Sequence, residues 1–246
     1  MEPIFEREYT LTDLHCDRFG RLKPSALLFL VQEAAGGHCK LLQLDWDTLS
    51  KRGLFWAIIR HRLQITRLPS SGEVIRLQTW PMPTTRVAYP RSVVGYDSQG
   101  NELFRSISLW VLMDMQKRAM VLPAKSGVEV SGILRGNELP TPASLSPQLF
   151  SSLAQRRVCF TDLDLNGHMN NAKYLDWVSD LLPSQFHERH CIRDMTLGYL
   201  SEALEGDVLQ LSWQTESDNT LCLEITRRED QTQHRVFSAR IDYRKE

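Results

Sequence analysis

Asn170-Asn-Ala-Lys-Tyr-Leu-Asp-Trp-Val-Ser-Asp-Leu-Leu182 is the stretch on which the fold turns. Tyr174, Leu175, Trp177, Val178, Leu181 and Leu182 follow helical spacing, and only Lys173, Asp176 and Asp180 form a narrow polar stripe. A helix apolar over so much of its circumference is enclosed rather than laid on a surface. A curved sheet is the element that encloses one. Asn170 or Asn171 suits the N-cap, where a short side-chain oxygen takes an orphan N–H.

Ahead of this run lies Asp164-Leu-Asn-Gly-His-Met169, and a related stretch, Asp17-Arg-Phe-Gly-Arg-Leu22, precedes a second helical run. At an offset of 147, Asp17 meets Asp164, Gly20 meets Gly167, Leu22 meets Met169 and Leu28 meets Leu175. In the earlier copy Pro24 fits the first turn of a helix, where its missing N–H costs nothing. Leu27, Leu30, Val31, Ala34, Ala35, His38, Leu41 and Leu42 then keep the i, i+3, i+4, i+7 rule.

Strands follow each helix. Ile59, His61, Leu63 and Ile65 alternate with Arg60, Arg62 and Gln64; Leu221, Leu223 and Ile225 alternate with Cys222, Glu224 and Thr226; Phe237, Ala239, Ile241 and Tyr243 alternate with Ser238, Arg240 and Asp242. Period two over long segments predicts antiparallel sheet with one buried face. Residues 63–80, with their turn at Gly72, match residues 197–213, with theirs at Gly206, at an offset of 134. The expectation is an α+β chain of two tandem units, each a long helix wrapped by a curved antiparallel sheet. Residues 1–125 form the first unit and 151–246 the second. Residues 126–150, rich in Gly and Pro, are read as an irregular linker.

Composition narrows the function classes. The 246 residues carry 29 Lys+Arg against 30 Asp+Glu and are 42% hydrophobic, the profile of an ordinary globular protein. A net charge of −1 lacks the basic excess of a nucleic-acid binder. The longest apolar runs, 26–31 and 54–59, fall far short of the roughly 20 residues that a membrane-spanning helix needs. The opening residues carry neither a basic leader nor a transit peptide, so a cytoplasmic protein is expected. Five cysteines, scattered with no C-x-x-C pair, describe neither a disulfide framework nor a zinc site. No metal or other cofactor is expected.

The densest polar cluster is Asp164, Asn166, His168, Asn170 and Asn171, in the turn that feeds the enclosed helix. A histidine there can serve as a general base, with an amide or carboxylate fixing its tautomer. N–H groups at the helix start can polarise a carbonyl. The plain alternative is a capping loop with a solvated imidazole. The repeat favours chemistry, because Asn166 is matched by Phe19 and His168 by Arg21. A polar set in one copy alone marks one active half.

Asp-Leu-Asp-Leu-Asn-Gly-His-Met-Asn-Asn-Ala-Lys-Tyr-Leu-Asp-Trp, residues 162–177, resembles the signature of the acyl-ACP thioesterases, including the plant plastid enzymes. Gln32-Glu-Ala-Ala35 with His38, Trp56-Ala-Ile-Ile-Arg60 and Met195-Thr-Leu-Gly-Tyr199 agree in style. The resemblance implies two tandem hotdog folds and hydrolysis of fatty acyl thioesters on acyl carrier protein. Carried over position by position, it places the catalytic set on Asp164, Asn166, His168 and Glu202, with Glu205 the competing acid. Many relatives have a cysteine just after that glutamate; here the residue is Ala203, which points to attack by water. Glu202 and His168 would activate the water, Asn166 would position it or the thioester, and Asp164 would orient its neighbours. Leu27, Leu28, Leu30, Trp56, Ile58 and Trp80 could line the acyl slot in the first half. Arg60, Arg62, Arg86, Arg91, Arg227 or Arg228 could dock the acidic carrier. An acyl-CoA thioesterase, a hotdog hydratase and a non-catalytic acyl-thioester binder are the competing readings, and both monomer and homodimer stay open.

Overall fold

Pro24 starts helix α1 (Pro24–Leu41), its fixed φ suiting the first turn. Leu27, Leu28, Leu30, Val31, Ala34 and Ala35 are buried, and Leu41, at the end of the same stripe, is exposed. Each fully buried leucine contributes about 2 kcal/mol, so the middle of the helix carries most of its attachment. The structure, a computed structural model, describes residues 3–148, 150–216, 219–230 and 232–245. Of the opening stretch read above, Met1 and Glu2 lie outside them. Two compact units are present, Met1–Pro142 and Ala143–Glu246.

In the first unit β1 (Phe5–Thr10) precedes α1. A one-turn helix α2 (Trp46–Ser50), strands β2 (Leu54–Ile65), β3 (Val74–Pro81), β4 (Tyr89–Tyr96), β5 (Glu102–Asp114) and β6 (Met120–Val121), and a turn of helix α3 (Pro123–Ser126) follow. The antiparallel strands lie in the order β1-β3-β4-β5-β2, with β6 beside β5. β2 departs from simple alternation because its pairing with β5 slips by one residue between Ile58 and Arg60. That bulge buries Ile58 in place of Ile59 and restores the phase at His61, Leu63 and Ile65.

The second unit repeats the plan. β7 (Ser152–Arg157) precedes α4 (Lys173–Ser179) and α5 (Ser184–Arg189). Then come β8 (His190–Tyr199), β9 (Val208–Glu216), β10 (Thr220–Glu229) and β11 (Thr232–Lys245), in the spatial order β7-β9-β10-β11-β8. Strand for strand this matches the first unit, and the architecture is the double hotdog. The second helix is shorter than its apolar run foretells. Pro183 cannot donate to the helix and disfavours helical backbone at Leu182. Ser179 Oγ donates back to Leu175 O at 2.7 Å, and His187 Nε2 donates to Ser179 O at 2.9 Å. The chain then restarts as α5.

Two stretches differ from the alternation and linker readings. Leu221 to Thr226 is buried on both faces, not one. Leu145, Ser146, Gln148 and Phe150 lie over the Cys222 and Glu224 side of the sheet, where Arg235 donates to Leu145 O at 3.1 Å and pairs with Glu224 at 2.9 Å. Residues 127–142 hold no helix or strand, yet they are pinned to the first unit. Arg105 donates to Asn137 O at 2.6 Å, Arg60 to Pro142 O at 3.2 Å, and Ile133 N to Pro81 O at 2.9 Å. Among the described residues no helix is long and apolar enough to cross a membrane.

Candidate active site

The same turn is built twice. Asp17 Oδ1 accepts from the N–H groups of Phe19 (2.8 Å) and Arg21 (3.1 Å). Asp164 Oδ1 accepts from those of Asn166 (2.8 Å) and His168 (3.3 Å). In each copy the aspartate N–H donates to the carbonyl four residues on, at 2.8 Å, and the glycine N–H donates back to the aspartate carbonyl at 3.0 Å. Gly20 and Gly167 sit at φ +78° and +75°, which no other residue type adopts as readily. Asp164 therefore shapes the loop that carries its neighbours.

The loop is docked on the 201–207 turn. Met169 N donates to Ala203 O at 2.8 Å, and His168 bridges Leu204 in antiparallel fashion. This pairing brings His168 Nε2 to 3.5 Å from Glu202 Oε2. The imidazole side chain is 13% exposed and the carboxylate 38%, so solvent meets the pair mainly at the carboxylate. The 201–207 turn is itself fixed from β10. Arg227 Nη1 donates to Glu202 O at 3.0 Å and to Asp207 Oδ2 at 2.9 Å, and Asp207 also accepts from Leu204 N at 3.0 Å. Glu205 is exposed in the turn.

Asn166 Nδ2 donates to Asp164 Oδ2 at 3.4 Å, and its Oδ1 is buried with no hydrogen-bond partner among the described residues. An unmet buried acceptor costs about 1–3 kcal/mol, and a water or substrate donor would relieve it. Beneath the loop, Tyr174 stacks on Phe237 at 4.5 Å and meets Tyr199 edge-on. Tyr199 donates to Asn171 O at 3.2 Å, and burial pushes both phenols well above the ordinary tyrosine range. They stay protonated and act as floor. Among the described residues no cluster of three or more His, Cys, Asp or Glu suits a metal ion.

Some of the N–H groups expected to polarise the carbonyl are engaged within the loop. Ala172 N donates to Asn170 Oδ1 and Lys173 N to Asn170 O, both at 2.9 Å, and Asn170 N donates to Asp162 O at 2.8 Å. Asn170 thus holds the turn ahead of α4, whose N-cap is Ala172 rather than the expected Asn170 or Asn171 and carries no side-chain cap. With seven residues, α4 also supplies only a weak dipole. The first copy has no counterpart to the pair. Phe19 and Arg21 stand at the amide and imidazole positions, Leu68 stands where Glu202 would be, and Arg21 Nη2 reaches back to Asp17 Oδ2 at 3.5 Å.

The first unit holds a cavity of about 170 Å³ between α1, residues 44–45, β2, the end of β3, β4, β5 and residue 130, lined by Trp56, Trp110, Tyr89 and Leu44 among others. Trp56 is the one predicted slot residue on its wall; Leu27, Leu28, Leu30, Ile58 and Trp80 are core. Of the arginines read as a docking set, Arg91 is buried and Arg227 is engaged in holding the turn. Arg86 and Arg228 are exposed. Sequence reasoning missed the positioning role of Arg227, because nothing in local spacing ties β10 to a turn 25 residues earlier.

Comparisons with known proteins identify the family. The family profile "Acyl-ACP thioesterase N-terminal domain" matches residues 2–125, and "Acyl-ACP thioesterase C-terminal domain" matches residues 148–246. A chloroplastic palmitoyl-acyl carrier protein thioesterase from Gossypium hirsutum is 26% identical over 233 residues, covering 88% of this chain and 56% of its own length. A chloroplastic dodecanoyl-[acyl-carrier-protein] hydrolase from Cinnamomum camphora is 27% identical over 228 residues, covering 84% and 58%. The chain thus spans a little over half the length of these curated relatives. Among solved structures, an acyl-ACP thioesterase from Bacteroides thetaiotaomicron superposes with TM-score 0.88 at 21% identity, covering 98% of each chain. The 12:0-ACP thioesterase from Umbellularia californica gives 0.84 at 22%, covering 100% of this chain and 99% of its own. At such identities these two structures speak for the fold alone.

Proposed function

Because the chain belongs to the acyl-ACP thioesterase family, we propose that it hydrolyses fatty acyl thioesters carried on acyl carrier protein, releasing the free fatty acid and the carrier's thiol. The observation that carries this reading is the approach of His168 Nε2 to Glu202 Oε2, present in the second unit and replaced by Arg21 and Leu68 in the first. Water held by that pair attacks the thioester carbonyl carbon and gives up a proton to the pair. The C–S bond then breaks, and the departing sulfur takes the proton. Thiolate is a good leaving group, so a positioned, activated water meets most of the demand. Asn166 accepts from the water through its unpartnered Oδ1, and Asp164 keeps both Asn166 and His168 in place.

A cysteine nucleophile has no support, since Ala203 occupies the position beside Glu202 and is buried. Cys159, the exposed thiol, lies before the loop and donates to Arg157 O at 3.5 Å. The apolar cavity of the first unit suits a segment of the acyl chain. Arg86 and Arg228 are the exposed cations offered to an acidic carrier in the cytoplasm. The test is thiol release from acyl carrier protein and coenzyme A thioesters of graded chain length. His168→Ala and Glu202→Ala should abolish turnover with circular dichroism unchanged. Full activity in both variants would refute the assignment, and a strong preference for the coenzyme A substrates would move the reading to an acyl-CoA hydrolase.

A further inference from the structure

The cavity of the first unit contains a charge that its surroundings do not balance. Arg91, 7% exposed, is on its wall together with Gln32, Cys39, Trp56 and Trp110. Arg91 Nη1 donates to His38 Nδ1 and Thr79 Oγ1, both at 3.1 Å, and Nη2 approaches Cys39 Sγ at 3.7 Å. These acceptors are neutral: burial pushes the Cys39 thiol up, so it stays protonated. A guanidinium has five N–H donors, and these partners take three. Among the described residues no carboxylate pairs with it. Asp45 lines the same cavity, but its carboxylate caps α2, accepting from Thr48 N at 3.3 Å and Thr48 Oγ1 at 2.6 Å.

Gln32 Nε2 is a second buried donor on this wall without a partner. A desolvated cation without a counter-charge is strongly unfavourable, and so is an unmet amide N–H. A fold keeps such groups beside an open apolar space when a ligand meets them. Apart from Cys39 and the capping Asp45, the rest of the wall is hydrocarbon and aromatic; Tyr89 turns its hydroxyl away to Ser126 Oγ at 2.8 Å, and the indole N–H groups of Trp56 and Trp110 donate to Leu44 O and Ser108 Oγ, each at 2.8 Å.

We propose that this cavity binds an apolar chain bearing a carboxylate, with the carboxylate oxygens on Arg91 and Gln32 and the hydrocarbon against Trp56 and Trp110. Its volume is close to the roughly 150 Å³ that encloses benzene, so it holds the carboxylate and the first several carbons. Two sources share this chemistry. One is the free fatty acid released by the proposed reaction, bound as a product. The other is an acyl chain whose far end is itself a carboxylate. The binding claim is independent of hydrolysis; the choice between sources rests on the proposed function.

Calorimetric titration at neutral pH with octanoate and with 1-octanol tests the binding. Octanoate should bind wild-type protein about tenfold or more tightly than octanol. Arg91→Met should remove that difference, and Gln32→Leu should reduce it. Equal affinity for the two ligands in wild type, or octanoate affinity unchanged in both variants, would overturn the proposal. The wild-type comparison and Gln32→Leu decide the matter even if Arg91→Met fails to fold. Thiol release from the N-acetylcysteamine thioester of octanoic acid and the half-thioester of octanedioic acid separates the sources. A higher kcat/KM for the dioic substrate that Gln32→Leu lowers supports the substrate end. Inhibition by octanoate that Gln32→Leu weakens, with no dioic preference, supports the product. Neither response in active enzyme overturns the proposal. Loss of release from both thioesters with octanoate binding intact faults the hydrolysis reading alone.

Discussion

Replacing Asp17 and Asp164 with alanine, one at a time, separates the architecture of the loop from its chemistry. Each carboxylate accepts two main-chain N–H groups, at 2.8 and 3.1 Å for Asp17 and at 2.8 and 3.3 Å for Asp164. A hydrogen bond to a charged acceptor contributes about 1.5–3 kcal/mol when well formed. These groups are partly solvated, and the 3.3 Å bond is long, so each substitution should cost about 2–3 kcal/mol of the stability of its own unit. Asp17→Ala has a further small loss from Arg21, whose Nη2 lies 3.5 Å from the carboxylate. The two penalties should therefore be similar, while the effects on turnover should not. Asp164→Ala frees the main chain under Asn166 and His168, so kcat should fall by about a hundredfold, the order expected for a displacement near 1 Å. Asp17→Ala should leave kcat within about twofold, since its loop carries Phe19 and Arg21. Urea unfolding followed by tryptophan fluorescence, paired with thiol release from acyl-ACP, measures both quantities. Equal loss of turnover in the two variants, or full turnover in a destabilised Asp164→Ala, would refute the separation.

Arg227→Met removes the donor to Glu202 O and Asp207 Oδ2; kcat should drop about tenfold or more with little change in KM, and Arg227→Lys should recover part of it. Burial pulls His61, whose Nε2 lies 2.7 Å from Ser106 Oγ, down to about 3. Its folded pKa is below the unfolded value, so stability is complete above about 6.5 and declines as pH falls toward 3. Urea midpoints should show that decline, and His61→Gln should flatten it. Burial, with the Glu33 carboxylate adding to it, pushes the Tyr9 phenol up to about 12. Its folded pKa exceeds the unfolded value, so stability is complete below about 10 and declines as pH rises toward 12. Tyr9→Phe, which also removes an unpartnered buried hydroxyl, should suppress the alkaline decline and be near neutral at pH 7 by the same urea assay.

Much of the double hotdog was legible because two periodicities coincide with the repeat. Asp17/Asp164 and Gly20/Gly167 mark the same turn, and the structure gives the two turns the same hydrogen bonds. What was misread depended on contacts distant in sequence. Local propensity extends the second helix to Leu182, and only the proline that follows, with Ser179 bonding backwards, stops it at Ser179. The one-sided reading of β10 fails because Leu145, Ser146, Gln148 and Phe150 return over it. At the site, the type and spacing of Asn166 and His168 were readable as a polar set in one copy. The glutamate was not distinguishable from its neighbours without the family resemblance, since its position depends on Met169 pairing with Ala203. Nor can spacing show that Asn170 engages the N–H groups of Ala172 and Lys173, two of those at the start of α4.

The twin turns also say how a duplicated gene can let one half drift. The atoms that hold each hairpin together belong to its first residue, its glycine and the main chain between. The intervening side chains are passengers in mechanical terms, free to be phenylalanine and arginine in one half and asparagine and histidine in the other. A change of side chain at those positions thus leaves the scaffold as it is. By the same logic Phe19→Asn, Arg21→His and Leu68→Glu together would ask whether a dormant half can be awakened.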